Sequence, residues 1–304
     1  MTHRILIFGG TGFIGRSLAV HLRERGFQPV LLARSRPTDL PTGAEFLPWD
    51  ATTVGPWRSA LEGARAVVNL AGKSVDCLKT PDNCDLILRS RVDSTRTIGA
   101  ALEQTRNRPP VWVQMSTAHI YGDPPRQICT EPSATGYGLA PFVGRAWEAA
   151  FRTAKPPEMR GVVLRTSFVI GRNGGALASL SRIVRLGLGG TVGSGRQGMS
   201  WLHEYDMNEL LHRSIVDEHY RGVYIASAPH PVSNREFMRQ LRRALKVPIG
   251  LPAPEPLVRL GARLVFRTDP ELALYGRYVR SERLPAAGFT FRFPTLETAL
   301  ADLV

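Results

Sequence analysis

Residues 4–16 read RILIFGGTGFIGR. An apolar run, Ile5 to Phe8, passes straight into glycines at Gly9, Gly10, Gly12 and Gly15. Phe13, Ile14, Leu18 and Leu22 then follow at helical spacing. Strand, glycine loop and helix in this order form the signature of a dinucleotide site. The physical need is close approach. A pyrophosphate must lie against backbone that a Cβ would block, and a helix N-terminus offers free N–H groups and a partial positive charge. We therefore expect Gly9, Gly10, Thr11, Gly12, Phe13, Ile14 and Gly15 to form the cradle.

Working outward, strand-like runs lie at 5–8, 29–33, 66–70, 111–115, 162–165 and 223–226, with a further strand ending before Trp49. Helical patterns lie near 13–26, 85–106, 142–154 and 205–217. This alternation predicts an α/β fold: a Rossmann-type doubly wound parallel sheet with a smaller C-terminal substrate domain. The continuous apolarity of the strands fits burial on both faces. We expect residues 1–170 to form the nucleotide domain, with a returning segment near 200–229. Residues 171–199 and 230–304 are expected to form the smaller domain. Within it, Ser233 and Glu236 have capping-box spacing, and residues 251–256 are a Pro-rich hinge.

The second strand ends in Leu32-Ala33-Arg34-Ser35-Arg36. An NAD site places an acid here for the ribose hydroxyls. This chain supplies Arg34, Ser35 and Arg36 instead, groups that suit a 2′-phosphate, so the expected cofactor is NADP(H). Asp50, after the third strand, could accept a hydrogen bond from the adenine amino group. Leu70, Ala71 and Gly72 follow the fourth strand and bring backbone toward the ribose or nicotinamide side.

Composition narrows the function classes. The 304 residues are 43% hydrophobic and 21% charged, as in ordinary globular proteins. The formal charge is +13, yet the basic residues are scattered, with no run of five and no nucleic-acid-binding signature. Nucleic acid is therefore not an expected partner. No stretch reaches 18 apolar residues, so a membrane is not expected either. Three cysteines without a CxxC, and no signal-peptide pattern, point to the cytoplasm. The histidines and cysteines show no ligand spacing, and no metal is expected. The expected partner is a small-molecule substrate, with the protein a monomer or homodimer.

GGTGFIG, NLAG, SRVxST (Ser90 to Thr95), STAHIYG, Trp147-Glu148, LRTSFVIGRNGG, GLGGTVGSGRQGMSWLH and AGFTFRFPTLETAL run from Arg4 to about Leu303. Together they resemble the atypical extended short-chain dehydrogenase/reductases. More narrowly, they resemble the epimerase-family proteins with a DUF1731-type C-terminal tail. The GSGRQ…SWLH and AGFTFRFPTL segments are specific to this subgroup; GGTGFIG alone is not.

The resemblance implies a catalytic apparatus to be checked residue by residue. Most of the superfamily uses a YxxxK pair, in which lysine lowers the tyrosine pKa. Anchored on Trp147-Glu148, this chain has Ala140 and Gly144 at those places. The resemblance extends to this vacancy, which the subgroup shares. By its spacing to Tyr121-Gly122, Thr117 matches the superfamily's Ser/Thr. Thr117 and Ser116 could bind a substrate carbonyl or the nicotinamide. His119 is either an acid–base near neutral pH or a satisfied interior histidine. Tyr137 is a candidate displaced proton donor. Thr166, after the sixth strand, should pass near the nicotinamide. In the family picture Arg196, Trp201 and His203 line the substrate side. Arg196 would grip an anion or pair with Glu204, and Trp201 would stack on a ring or pack in the core.

Two functions follow. One is an NADP(H)-dependent oxidoreductase or epimerase acting on a small hydroxy or keto compound or a nucleotide-linked sugar. The other is an NADP(H)-binding regulator that has lost catalysis.

Overall fold

The computed structural model describes residues 3–124, 127–172 and 174–304; Asn173 of the GRNGG motif lies outside them. Seven strands form the central sheet: β1 (Arg4–Phe8), β2 (Gln28–Ala33), β3 (Glu45–Pro48), β4 (Ala66–Asn69), β5 (Val111–Thr117), β7 (Arg160–Thr166) and β11 (Gly222–Ala226). Their order is β11-β7-β5-β4-β1-β2-β3, and every pair is parallel. The chain winds outward from β1 in one direction, then from β4 in the other. The β1–β4 boundary is therefore the switch point where such sheets bind ligands.

The expected α/β doubly wound sheet is thus the one observed. Alternate residues of each strand enter two separate cores. Ile5, Ile7, Leu31 and Val68 meet α1 (Phe13–Arg23) and α5 (Glu204–Val216) on one face. Leu6, Phe8, Val30 and Val67 meet α2 (Pro81–Glu103) on the other. Helix α3 (Leu139–Ala154) packs beside α2 and adds Phe151 to this second core. Both faces are dry, which is why the strands lack the apolar–polar alternation of a half-exposed sheet.

Among the described residues, six short strands complete the fold. They are β6 (Ile128–Cys129), β8 (Phe168–Ile170), β9 (Gly198–Met199), β10 (Trp201–His203), β12 (Val232–Ser233) and β13 (Tyr278–Val279). β10 pairs with β8, β12 with β9, and β13 with β6. The remaining helices are α4 (Ala176–Ile183), α6 (Asn234–Ala244), α7 (Glu255–Leu264), α8 (Glu271–Leu274), α9 (Arg283–Ala286) and α10 (Leu296–Leu303). Leu177, Trp201, Phe237, Leu241, Leu296 and Leu300 build a third core. The Ser233 hydroxyl accepts the Glu236 N–H, as the capping-box spacing predicts. Among the described residues no helix is long and apolar enough to cross a membrane.

Candidate functional site

The glycine loop sits at the switch point and is fixed on both sides. The N–H groups of Gly9 and Gly10 donate to Leu32 O at 2.9 and 3.3 Å, tying the loop to the end of β2. Gly9 has φ of +73°, and a Cβ there would come within 2.9 Å of the Ala71 backbone. At Gly15 a Cβ would meet Gly10 O at 2.5 Å, so glycine is what lets α1 close onto the loop. Gly12 is the N-cap of α1, with no side-chain cap and no acid in the first turn. A Cβ on Gly12 would meet nothing nearer than Gly9 O at 3.4 Å. The space before the helix is open and its terminus carries no competing anion, so the loop fits a pyrophosphate.

Flanking residues follow the same logic. Arg34, Ser35 and Arg36 are all exposed just beyond β2. On the other flank, Asn69 is fully buried: its amide donates to Gln114 Oε1 and Thr95 Oγ1, and its Oδ1 accepts the Ala71 N–H. This holds Leu70, Ala71 and Gly72 against the glycine loop. Asp50 caps a turn, accepting from Thr52 N, Thr53 N and the Thr53 hydroxyl, bonds that hold its carboxyl down at about 2. Three of about four acceptor positions are thus used locally, and the exposed carboxylate keeps one on Oδ2.

Beyond Thr117, residues Ala118–Tyr121 form a 3-10 turn, and the Thr117 Oγ1 accepts the His119 N–H at 3.1 Å. The His119 imidazole is pushed down to about 3, first by burial and then by Arg277, Lys79 and Arg91. The three cations come from separate elements. Arg91, on α2, donates from Nη1 to Lys73 O and Ile87 O and stacks 5.0 Å over Trp147. Arg277 donates from Nε to Gly122 O at 2.7 Å. Lys79 lies 3.7 Å from Asp269. Burial pulls both guanidiniums down to about 10, yet neither forms a salt bridge among the described residues. Buried cations short of counter-charge favour an anion. The sequence offered no signal for this convergence, since the three residues are far apart in the chain.

Several expected site residues lie elsewhere. The Ser116 hydroxyl turns inward and donates to Glu148 Oε1 at 2.7 Å. Glu148 also holds Arg165 through two bonds, and Arg165 reaches the Tyr121 hydroxyl at 2.8 Å. This buried network ties α3 to β5 and β7, so Ser116 is a structural residue. Within it, burial pushes the Tyr121 phenol up to about 12. The Thr166 hydroxyl faces Met115 Sδ and Leu164 O. Tyr137 is 95% exposed, and a ring so free is not held in place for proton transfer. Trp201 is 0% exposed; its indole N–H donates to His230 O, and it packs in the third core with no face open for stacking. His203 is the N-cap of α5: its Nδ1 accepts the Tyr205 N–H and its ring stacks on Phe293. Arg196 remains exposed and does not pair with Glu204, whose oxygens take Ser17 Oγ and Arg172 N instead.

The vacancy at 140 and 144 has a physical cause. A Cβ on Gly144 would lie 3.1 Å from Ile120 and 3.3 Å from Thr117. Helix α3 therefore packs against the 3-10 turn where a lysine would stand.

No metal spacing was expected, yet His21, Glu209 and His212 bring donor atoms within 4.8 Å of one another. Arg25 and Arg213 already hold the Glu209 carboxylate at 2.9 and 3.2 Å. The group is an ion network between α1 and α5.

The sheet order and the glycine loop at its switch point are those of an extended short-chain dehydrogenase/reductase. The chain belongs to the NAD dependent epimerase/dehydratase family, which matches residues 5–225, and a domain of unknown function, DUF1731, matches residues 253–303. It is 33% identical over 307 residues to mouse epimerase family protein SDR39U1, covering 99% of each chain. Epimerase family protein YfhF of Bacillus subtilis (strain 168) is 28% identical, with 99% and 97% covered. The solved structure of human epimerase family protein SDR39U1 (isoform2) with NADPH superposes with a TM-score of 0.88 at 29% identity, covering 99% of this chain and 98% of that one.

Proposed function

We propose that this protein binds NADP(H) and acts as an oxidoreductase or epimerase on a small hydroxy or keto compound bearing an anionic group, a nucleotide-linked sugar being one such. The observation that carries this reading is that three cations from separate segments, Arg277, Lys79 and Arg91, all act on the His119 imidazole, beside the Thr117 hydroxyl. Preference for NADP(H) rests on exposed Arg34, Ser35 and Arg36, and the NADPH-bound human relative supports it.

When bound, the nicotinamide supplies or accepts a hydride. The protein's own residues do the rest. Arg91, Arg277 and Lys79 draw in the anion and orient it. Thr117 accepts from the His119 backbone, which leaves its hydroxyl hydrogen free for a substrate oxygen. His119 is neutral in the empty cleft. An anion among the cations would offset only their contribution, and burial, the larger cause, still holds the imidazole low.

A fluorescence titration tests the cofactor. The wild type should prefer NADPH over NADH by roughly tenfold or more, and Arg34→Ala/Arg36→Ala should bring the two toward parity. Tighter NADH binding by the wild type would overturn the assignment. A metabolite screen following NADPH absorbance tests the substrate. Activity should be confined to anionic keto compounds, and Arg277→Gln should raise KM more than it lowers kcat. Turnover of neutral compounds alone would sink the anion reading.

The second reading, a regulator without catalysis, is favoured by one observation: the close packing of Gly144 against Ile120 and Thr117, which crowds the place a lysine would take. Loss of all turnover across the screen, with NADPH binding intact, would select it.

A further inference from the structure

Helix α7 is inside out. Its one buried residue is Ala262, with Val258 half-buried nearby. Leu257, Leu260 and Leu264 recur at i, i+3 and i+7, so they share a face. That face points to solvent, with exposures of 63, 57 and 71%. Val265 and Phe266, just beyond the helix, are exposed as well. A surface helix ordinarily turns its apolar stripe inward. Here the stripe is left uncovered.

A second group of exposed apolar residues lies in segments that precede the helix in the chain. Leu186, Leu188, Ile249 and Leu251 are exposed as well. Backbone bonds join their segments: Leu251 N donates to Gly187 O at 2.8 Å, and Gly190 N donates to Leu251 O at 3.1 Å. Arg242 clamps the same place, donating to Gly189 O. Exposed apolar clusters of this kind mark interaction sites.

The surroundings are basic. Residues 234–267 carry eight Lys or Arg against two acids, Glu236 and Glu255. Both acids are already paired, with Arg239 and Arg259. Residues 176–199 add Arg182, Arg185 and Arg196 with no acid. At the end of α6, Arg239, Arg242, Arg243 and Lys246 line a groove of about 360 Å³.

We propose that this face docks on an anionic lipid surface. The leucines of α7 enter the headgroup–acyl boundary, and the α6 groove receives lipid phosphates. Leucines on one face with arginines on the others is the composition of an interfacial helix. Ten residues rise about 15 Å, too short to span a bilayer but suited to lying on one. The expectation of no membrane partner rested on the lack of a spanning segment, which does not bear on a helix lying flat. A second copy is disfavoured because its basic rim would face this one. Nucleic acid would leave the leucines unused. The proposal is independent of the reaction assigned to the cleft.

Vesicle flotation of the whole protein is the test. It should float with equimolar phosphatidylglycerol–phosphatidylcholine vesicles at low salt and stay down with phosphatidylcholine alone. High salt should release it. Leu260→Ser/Leu264→Ser and Arg243→Gln/Lys246→Asn should each weaken binding by roughly tenfold or more. NADPH affinity and far-ultraviolet dichroism of these variants should match the wild type, which separates lost docking from lost folding. Failure to float at low salt, or variants that float like the wild type, would overturn the proposal. So would a dimer by sedimentation velocity that Leu260→Ser dissolves, or an acidic protein bound at this face with vesicles ignored.

Discussion

Gly15 illustrates how one missing atom organises a site. Its absent Cβ lets α1 approach Gly10, where 2.5 Å would otherwise separate Cβ from a carbonyl oxygen. Gly15→Ala must push backbone against backbone, which no rotamer change relieves. We expect the variant to remain folded but to lose NADPH affinity by at least about tenfold in a titration; near-wild-type affinity would show that the loop need not close onto the helix. This position is legible in the sequence because its constraint is local: strand, glycines and helix lie within thirteen residues. The Glu148–Arg165 pair was not legible. The two residues meet only because α3 packs on β5, the neighbour of β7, and nothing adjacent to either records the partner. Trp201 failed for a related reason. An aromatic beside a glycine-rich loop reads as a stacking platform, but burial is decided by residues 168–170 and 228, which pack against it.

At the scale of elements, Arg160 ties a strand to a helix. It opens β7, and its guanidinium donates to Ser214 O and Ile215 O in the last turn of α5 and to Tyr220 O in the loop beyond it. Those carbonyls have no helical partner of their own, and a charged donor satisfies them. Arg160→Ala should destabilise the fold by about 3 kcal/mol, read from the denaturant midpoint. A loss within a few tenths would mean that water replaces the guanidinium without cost. Helix α7 shows a different limit of sequence reading. Periodicity gives the apolar face of a helix, and it does so correctly here. It does not give the direction in which that face points, because the direction belongs to the neighbours.

Across the whole molecule, three histidines from different regions share one electrostatic state. Burial holds His21 and His203 at about 4 and His119 at about 3. At His21, burial and Arg25 outweigh the opposing Glu209. The unfolded chain binds these protons near pH 6.5, whereas the folded chain resists them. Each histidine therefore contributes stability that is complete above about pH 6.5 and is lost progressively as the pH falls toward its folded value. Tm should fall steadily from pH 7 to pH 5, before most carboxylates titrate, and His21→Gln should reduce that slope. A flat profile over this interval would contradict neutral burial. The sheet itself was largely legible, since continuous apolar runs alternating with helical periods admit few other folds. The cleft was legible on its cofactor side and not on its substrate side, where Arg91, Lys79 and Arg277 converge from three segments.

The place of β11 has a consequence for synthesis. It pairs with β7, although residues 167–221 separate the two in the chain. A ribosome adding roughly 5–20 residues per second leaves the β7 edge bare for about 3–11 s after the rest of the sheet has emerged. Unpaired strand edges recruit other chains. A message truncated before residue 222 should therefore give an aggregating product rather than a small working nucleotide domain.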